Sequence, residues 1–258
     1  MIFPAHPDRR PAVVTGASSG IGEATALALA ARGLPVALGA RRVERCEQTA
    51  QRIRSQGGEA VALPLDVGDE DSVKAFAVAA TRELGDIEVV VSNAARAAPG
   101  LVHQTPTERF AGELDVNIVG AQRLVAAFVP AMVERRRGDV VFLSSDVAGR
   151  ARPRTSGYAA SKWGLEGMVS AMQMELEGTG VRASMVRPGQ TLTEFGHDWD
   201  ADEMDATLRD WQRWGLARHF HFLDPEAVAA TVATIVEAPR GTHLSMIEVH
   251  PEAPVEEL

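Results

Sequence analysis

Short apolar runs of strand length alternate with longer stretches of helical period along this chain. The runs Ala12–Thr15, Pro35–Ala40, Ala60–Leu65, Ile87–Ser92, Asp139–Ser144, Val181–Arg187 and Leu244–Val249 read as strands. The stretches between them predict helices over Gly20–Arg32, Val43–Gln56, Glu70–Leu84, Thr107–Arg136, Gly157–Gly178 and Pro225–Glu237. The strands are continuously apolar rather than alternating, as in a parallel sheet covered on both faces. Right-handed crossovers make such a sheet doubly wound and place its ligand beyond the carboxyl ends of the strands. The expected fold class is therefore α/β: three layers around a doubly wound parallel sheet. No repeat, low-complexity tract or linker divides it, so residues 1–258 read as a single domain.

Composition narrows the possible functions. With 45% hydrophobic and 24% charged residues in 258, the chain has ample material for one core. A net charge of −9 argues against nucleic acid or an anionic membrane as the main partner. No targeting segment and no membrane span are expected, since the longest apolar runs are short. The single cysteine, Cys46, excludes a disulfide framework and suits a reducing, cytoplasmic setting. The seven histidines show no ligand spacing beyond His219-x-His221, so no metal site is expected.

The chemistry sits just after the strands. Thr15-Gly16-Ala17-Ser18-Ser19-Gly20-Ile21-Gly22 follows the first strand, and its glycines let backbone N–H groups approach a diphosphate at a helix N-terminus. Gly16-Ala17-Ser18-Ser19-Gly20 also satisfies G-x-S-x-G, the nucleophile elbow of hydrolases. A hydrolase needs an oxyanion donor from an earlier strand–helix loop, and no strand precedes this one. The second strand ends Gly39-Ala40-Arg41-Arg42, with no carboxylate from Leu38 to Val43 to accept from a ribose 2′-hydroxyl. Arginines there suit a 2′-phosphate.

Tyr158-Ala159-Ala160-Ser161-Lys162 puts a phenol and an ammonium on one helix face. Tyr158 is the only tyrosine, and Lys74 and Lys162 are the only lysines, so the pairing is not a by-product of composition. The ammonium is expected to favour the phenolate and lower the phenol pKa. Ser145, just past the fifth strand, offers a hydroxyl at the same sheet edge, where it can donate to a carbonyl oxygen or cap a turn.

Taken together, the residues from Thr15 to Gly22, Ser92-Asn93-Ala94-Ala95, Asn117, Ser145, Tyr158-x-x-x-Lys162 and Pro188-Gly189 resemble the short-chain dehydrogenases/reductases. The resemblance covers the chain from about Pro11 to Val249 and implies a Rossmann fold. It implies that Tyr158 is the acid–base residue, with Lys162 binding the nicotinamide ribose and Ser145 holding the substrate carbonyl. Asn117 would hold a relay water. Gly16, Ser18, Ser19, Gly20, Ile21 and Gly22 would meet the diphosphate, and Asp66-Val67 the adenine. Asn93-Ala94 would line the ribose region, and Pro188-Gly189 with Thr191 and Thr193 would meet the nicotinamide. With Arg41 and Arg42, the cofactor expected is NADP(H). The sequence departs from the family at Ala95, where glycine is usual, at Asp146, a carboxylate that either faces the substrate or caps a turn, with the turn preferred, and at the tail His250-Pro251-Glu252-Ala253-Pro254.

Residues 191–223 are expected to form a substrate lid. They hold Phe195, Trp199, Trp211, Trp214, Phe220 and Phe222, which suggests an apolar pocket. Asp200-x-x-Glu203 reads as a helix start, with Met204, Leu208 and Trp211 on one face. The resemblance implies that the wide apolar faces of the fourth and fifth helices form a homodimer or homotetramer. The expected activity is hydride transfer between NADP(H) and a hydrophobic carbonyl or alcohol. The alternative weighed against it is a catalytically weak NADP(H)-binding regulator.

Overall fold

A computed structural model describes residues 3, 5–194, 196, 199–216 and 221–255. Seven strands form one parallel sheet in the order β3-β2-β1-β4-β5-β6-β7. They are β1 (Ala12–Thr15), β2 (Val36–Ala40), β3 (Ala60–Pro64), β4 (Val89–Ser92), β5 (Gly138–Leu143), β6 (Val181–Pro188) and β7 (Met246–Val249). The helices are α1 (Gly20–Ala30), α2 (Val43–Ser55), α3 (Glu70–Leu84), α4 (Thr107–Leu114), α5 (Gly120–Arg135), α6 (Ser156–Glu175), α7 (Ala201–Arg213) and α8 (Pro225–Glu237). This is the expected doubly wound sheet, with ends shifted by a few residues.

The continuous apolar runs are explained by burial on two faces. Side chains alternate across a strand, so Val13, Val90, Val140 and Phe142 enter the core beneath α3, α5 and α6. Their neighbours Val14, Val91, Val141 and Leu143 enter the opposite core beneath α1, α2 and α8. Phe76 of α3 meets Phe128 of α5 edge to face, 6.4 Å between ring centres. It also presses on Gly39, where a Cβ would lie 2.7 Å from its ring. Phe76→Ala is expected to cost about 3–5 kcal/mol, measured as a lower denaturation midpoint at unchanged slope.

One predicted helix is interrupted. Between α4 and α5 the chain makes a π-helical turn over Asp115–Val119. Such turns insert an extra residue and recur at functional sites. The combined helix Thr107–Arg135 is long and apolar enough to cross a membrane by length and composition alone. Here its Ala121, Leu124, Phe128, Val129 and Met132 pack into the core.

Candidate active site

The glycine loop is braced from β4. The Thr15 hydroxyl oxygen accepts the backbone N–H groups of Asn93 and Ala94, both at 3.0 Å. The Asn93 amide donates back to Thr15 O at 2.8 Å and Gly16 O at 3.3 Å. Gly16 and Gly20 take φ of +65° and +56°, a region that favours glycine. A Cβ on Gly22 would lie 2.3 Å from Gly16 O, and one on Gly16 would lie 2.9 Å from Ala94 Cα. A bare backbone cradle thus opens at the N-terminus of α1, a geometry that fits the diphosphate of a dinucleotide. The Ser18 hydroxyl, the nucleophile of the hydrolase alternative, accepts from Arg42.

Gly16, Ser18, Ser19, Gly20 and Ile21 line one cleft of about 1000 Å³. Arg41, Arg42, Asp66, Val67, Asn93, Ala94, Ser145, Tyr158, Lys162, Pro188, Gly189, Thr191 and Thr193 line the same cleft. Gly22 lies behind it. Asp66 closes its own turn by accepting Gly68 N–H at 2.9 Å. Gly189 donates to Val249 O at 2.7 Å, and Pro251 of the tail packs within 3.0 Å of the position its Cβ would take. The tail therefore braces the Pro188-Gly189 turn.

The two arginines after β2 differ in their engagement. Arg42 donates to Ser18 and Ser19 and pairs with Glu194 at 2.9 Å, and Arg45 pairs with the same carboxylate at 2.5 Å. These bonds, Arg45 first, hold the Glu194 carboxyl down at about 2. Arg41 is exposed and makes no ion pair among the described residues, so its fork is available to a phosphate.

At the reacting end, the Ser145 hydroxyl accepts Val147 N–H at 3.4 Å and donates to Asp146 Oδ1 at 3.3 Å. Tyr158 is hydrogen-bonded to Ser145. Lys162 is 3% exposed, donates to Leu143 O at 2.6 Å and lies 5.5 Å from the Tyr158 ring centre. The expected lowering of the phenol pKa is not what this geometry produces. Burial, ahead of every other cause, pushes Tyr158 up to about 12 and Lys162 down to about 8. Taking either group out of water penalises its charged form. A phenol held protonated is suited to give a proton rather than to take one.

Asn117 occupies the π-helical turn and is 2% exposed. Its amide donates to Arg96 O and Ser161 Oγ, and its oxygen accepts Arg96 N–H, all at 2.8 Å. The side chain is committed to tying α4 and α5 to the β4 loop and α6.

The turn-cap reading of Asp146 is corrected. Ser145 is the cap, while Asp146 forms a two-pronged ion pair with Arg152, at 3.0 Å on one prong. Arg152 in turn stacks 5.2 Å over the Trp211 ring. The lid segment is closed at its base by a bridge between Thr191 and Leu223. Asp200 caps α7 by accepting Asp202 and Glu203 N–H, as the sequence predicted. Its inward face differs in one position, because Thr207 is buried and Leu208 is exposed. Trp199, Trp211, Met204 and Phe222 line the cleft, whereas Trp214 points out. Phe195, Phe220 and His219 lie outside the described residues. Arg96, Arg152, Asp146 and Glu203 share this lining, so the pocket is amphipathic rather than apolar. If the lid moves on substrate binding, Trp199 and Trp211 report it: substrate added to the cofactor-loaded protein is expected to change their fluorescence. An unchanged spectrum with saturating substrate would reduce both rings to packing.

With this geometry in place, residues 10–204 match the family model of the short chain dehydrogenases. The chain belongs to that family of oxidoreductases. It is 35% identical over 241 residues to a glycine betaine reductase of Emericella nidulans, covering 93% of this chain but 18% of that longer protein. An alcohol dehydrogenase from Thermococcus sibiricus, solved with 5-hydroxy-NADP, superposes with a TM-score of 0.82 at 30% identity, covering 97% of this chain and 100% of that one. A family member from Burkholderia phymatum, solved with NAD, has the same fold with a TM-score of 0.82 at 24% identity, covering 93% and 89%. A nicotinamide dinucleotide is the cofactor these relationships support.

Several cleft residues carry no signal in sequence spacing. Glu194 reaches Arg42 and Arg45 from about 150 positions away, and Arg152 finds Trp211 across the lid. Only tertiary proximity defines these pairs.

Proposed function

We propose that this chain is an NADP(H)-dependent carbonyl reductase acting on a small molecule with both an apolar body and a polar group. The observation that carries the reading is Tyr158, held protonated and bonded to Ser145 beside Lys162 in the dinucleotide cleft. When bound, the nicotinamide supplies the hydride. Ser145 has a single proton to donate, now given to Asp146, and must turn it toward the carbonyl oxygen of the substrate. Tyr158 gives its proton to that oxygen as it becomes a hydroxyl, and Lys162 offsets the charge left on the phenolate. Arg41, with Arg42, is the binding place for a 2′-phosphate.

The substrate body would lie against Trp199, Trp211 and Met204, with its polar group toward Arg152 and Asp146. The same reading takes neither nucleic acid nor membrane as partner. It places the protein in the cytoplasm, where a buried thiol such as Cys46, pushed up to about 11, stays reduced. Copies of the chain would pair through α5 and α6, the second of which exposes Trp163 and Met174.

The test is loss of NADPH absorbance with a panel of ketones, aldehydes and quinones. Tight cofactor binding with no turnover across that panel would favour the regulator instead.

A further inference from the structure

Glu166 lies on α6 one turn beyond Lys162 and two beyond Tyr158, so the three share a helix face. Its side chain is 14% exposed. Oε1 accepts the Ser144 hydroxyl at 2.5 Å and Arg187 Nε at 3.0 Å, and Oε2 accepts Arg187 Nη2 at 2.6 Å. Ser144 immediately precedes Ser145 at the end of β5. Arg187 immediately precedes Pro188-Gly189 at the end of β6. One carboxylate therefore grips the two strand ends that present the reacting groups, and its bidentate bond to arginine fixes an angle as well as a distance. Glu166 does not line the cleft, while Ser144 and Lys162 do.

We propose that Glu166 is a positioning residue for hydride transfer: through Ser144 and Arg187 it locks Ser145 and the Pro188-Gly189 turn against the helix that carries Tyr158 and Lys162. The inference rests on Tyr158 and Lys162 being the reacting pair. A second consequence is electrostatic. Glu166 is the charge that opposes the effect of burial on Lys162, so it helps keep the ammonium charged. The other charges near the network are Arg187 on β6, Glu248 and His250 at β7, and Asp146 with Arg152 beside Tyr158. Removing Glu166 leaves Arg187 paired with Glu248 alone and frees its Nε and Nη2 donors, which adds to the loss.

The chain's two lysines make the test direct. With selectively ¹³C-labelled lysine, NMR should show two titrations, one from Lys74 on the surface and one from Lys162 near about 8. In Glu166→Gln the Lys162 midpoint is expected at lower pH, with Lys74 unmoved. On a carbonyl substrate found by the panel, kcat should fall about 10–100-fold, as for a small misplacement of reacting groups. NADPH affinity should fall by far less than kcat, since the phosphate cradle does not touch Glu166, and the alkaline limb of kcat should move to lower pH with Lys162. Glu166→Asp, which restores the charge, should return the limb. Ser144→Ala breaks one bond without exposing a buried charge, and should lower kcat without moving the limb. A Glu166→Gln protein with lower Tm but unmoved Lys162 and normal kcat would overturn the inference. If that variant does not fold, normal kcat in Ser144→Ala overturns it. A fully active Tyr158→Phe would sink the underlying reading instead, whatever Glu166 does.

Discussion

Tyr158→Phe is expected to lose at least about 10²–10⁴-fold in turnover, the usual contribution of a positioned general acid. NADPH should still bind with near-normal affinity. The ring keeps its shape and packing, and only the proton donor bonded to Ser145 is removed. Because burial holds this phenol at about 12, the unaltered protein carries the proton at neutral pH, and phenylalanine cannot replace it. Steady-state kinetics paired with calorimetric NADPH titration reads both quantities. Near-normal kcat would overturn the mechanism, while loss of NADPH binding would show that the variant disturbed the cradle rather than the chemistry.

Cofactor choice carries the second large effect. NADPH is expected to bind at least tenfold more tightly than NADH. A charge-assisted hydrogen bond from Arg41 to the 2′-phosphate contributes about 1.5–3 kcal/mol, or about 10–100-fold, and Arg41's exposure favours the lower end of that range. Arg42 adds less, since Ser18, Ser19 and Glu194 already accept its donors. Ala40→Asp combined with Arg41→Ala should reverse the order, because it adds repulsion while removing attraction. Titration of both cofactors into both proteins decides the matter. Equal or tighter NADH binding in the unaltered protein would remove the NADP assignment and leave the fold and Tyr158 untouched.

The sheet was legible from sequence because burial on two faces leaves continuous apolar strands, and the helices between them carry a 3.6-residue period. Gly16, Gly20 and Gly22 were legible because a tight turn against β4 has no room for a Cβ. Tyr158 and Lys162 were legible because four residues is one helical turn. The break in the helix at Asn117 was not, since a π-helical turn leaves no compositional mark in an otherwise apolar helix.

By itself, then, the sequence determined what local geometry and burial pattern determine: the doubly wound sheet, the bare phosphate cradle, the phenol–ammonium pair and the absence of a carboxylate after β2. Only the tertiary structure decided how those groups are charged and held. Desolvation moved Tyr158 up and Lys162 down, opposite to what their spacing alone suggested for the phenol. Glu166 met Ser144 and Arg187, Asp146 met Arg152, and Glu194 met Arg42 because strand ends distant in sequence converge at one sheet edge. Pairing and desolvation depend on distances through space, and spacing along a chain encodes those only within a single helix or turn.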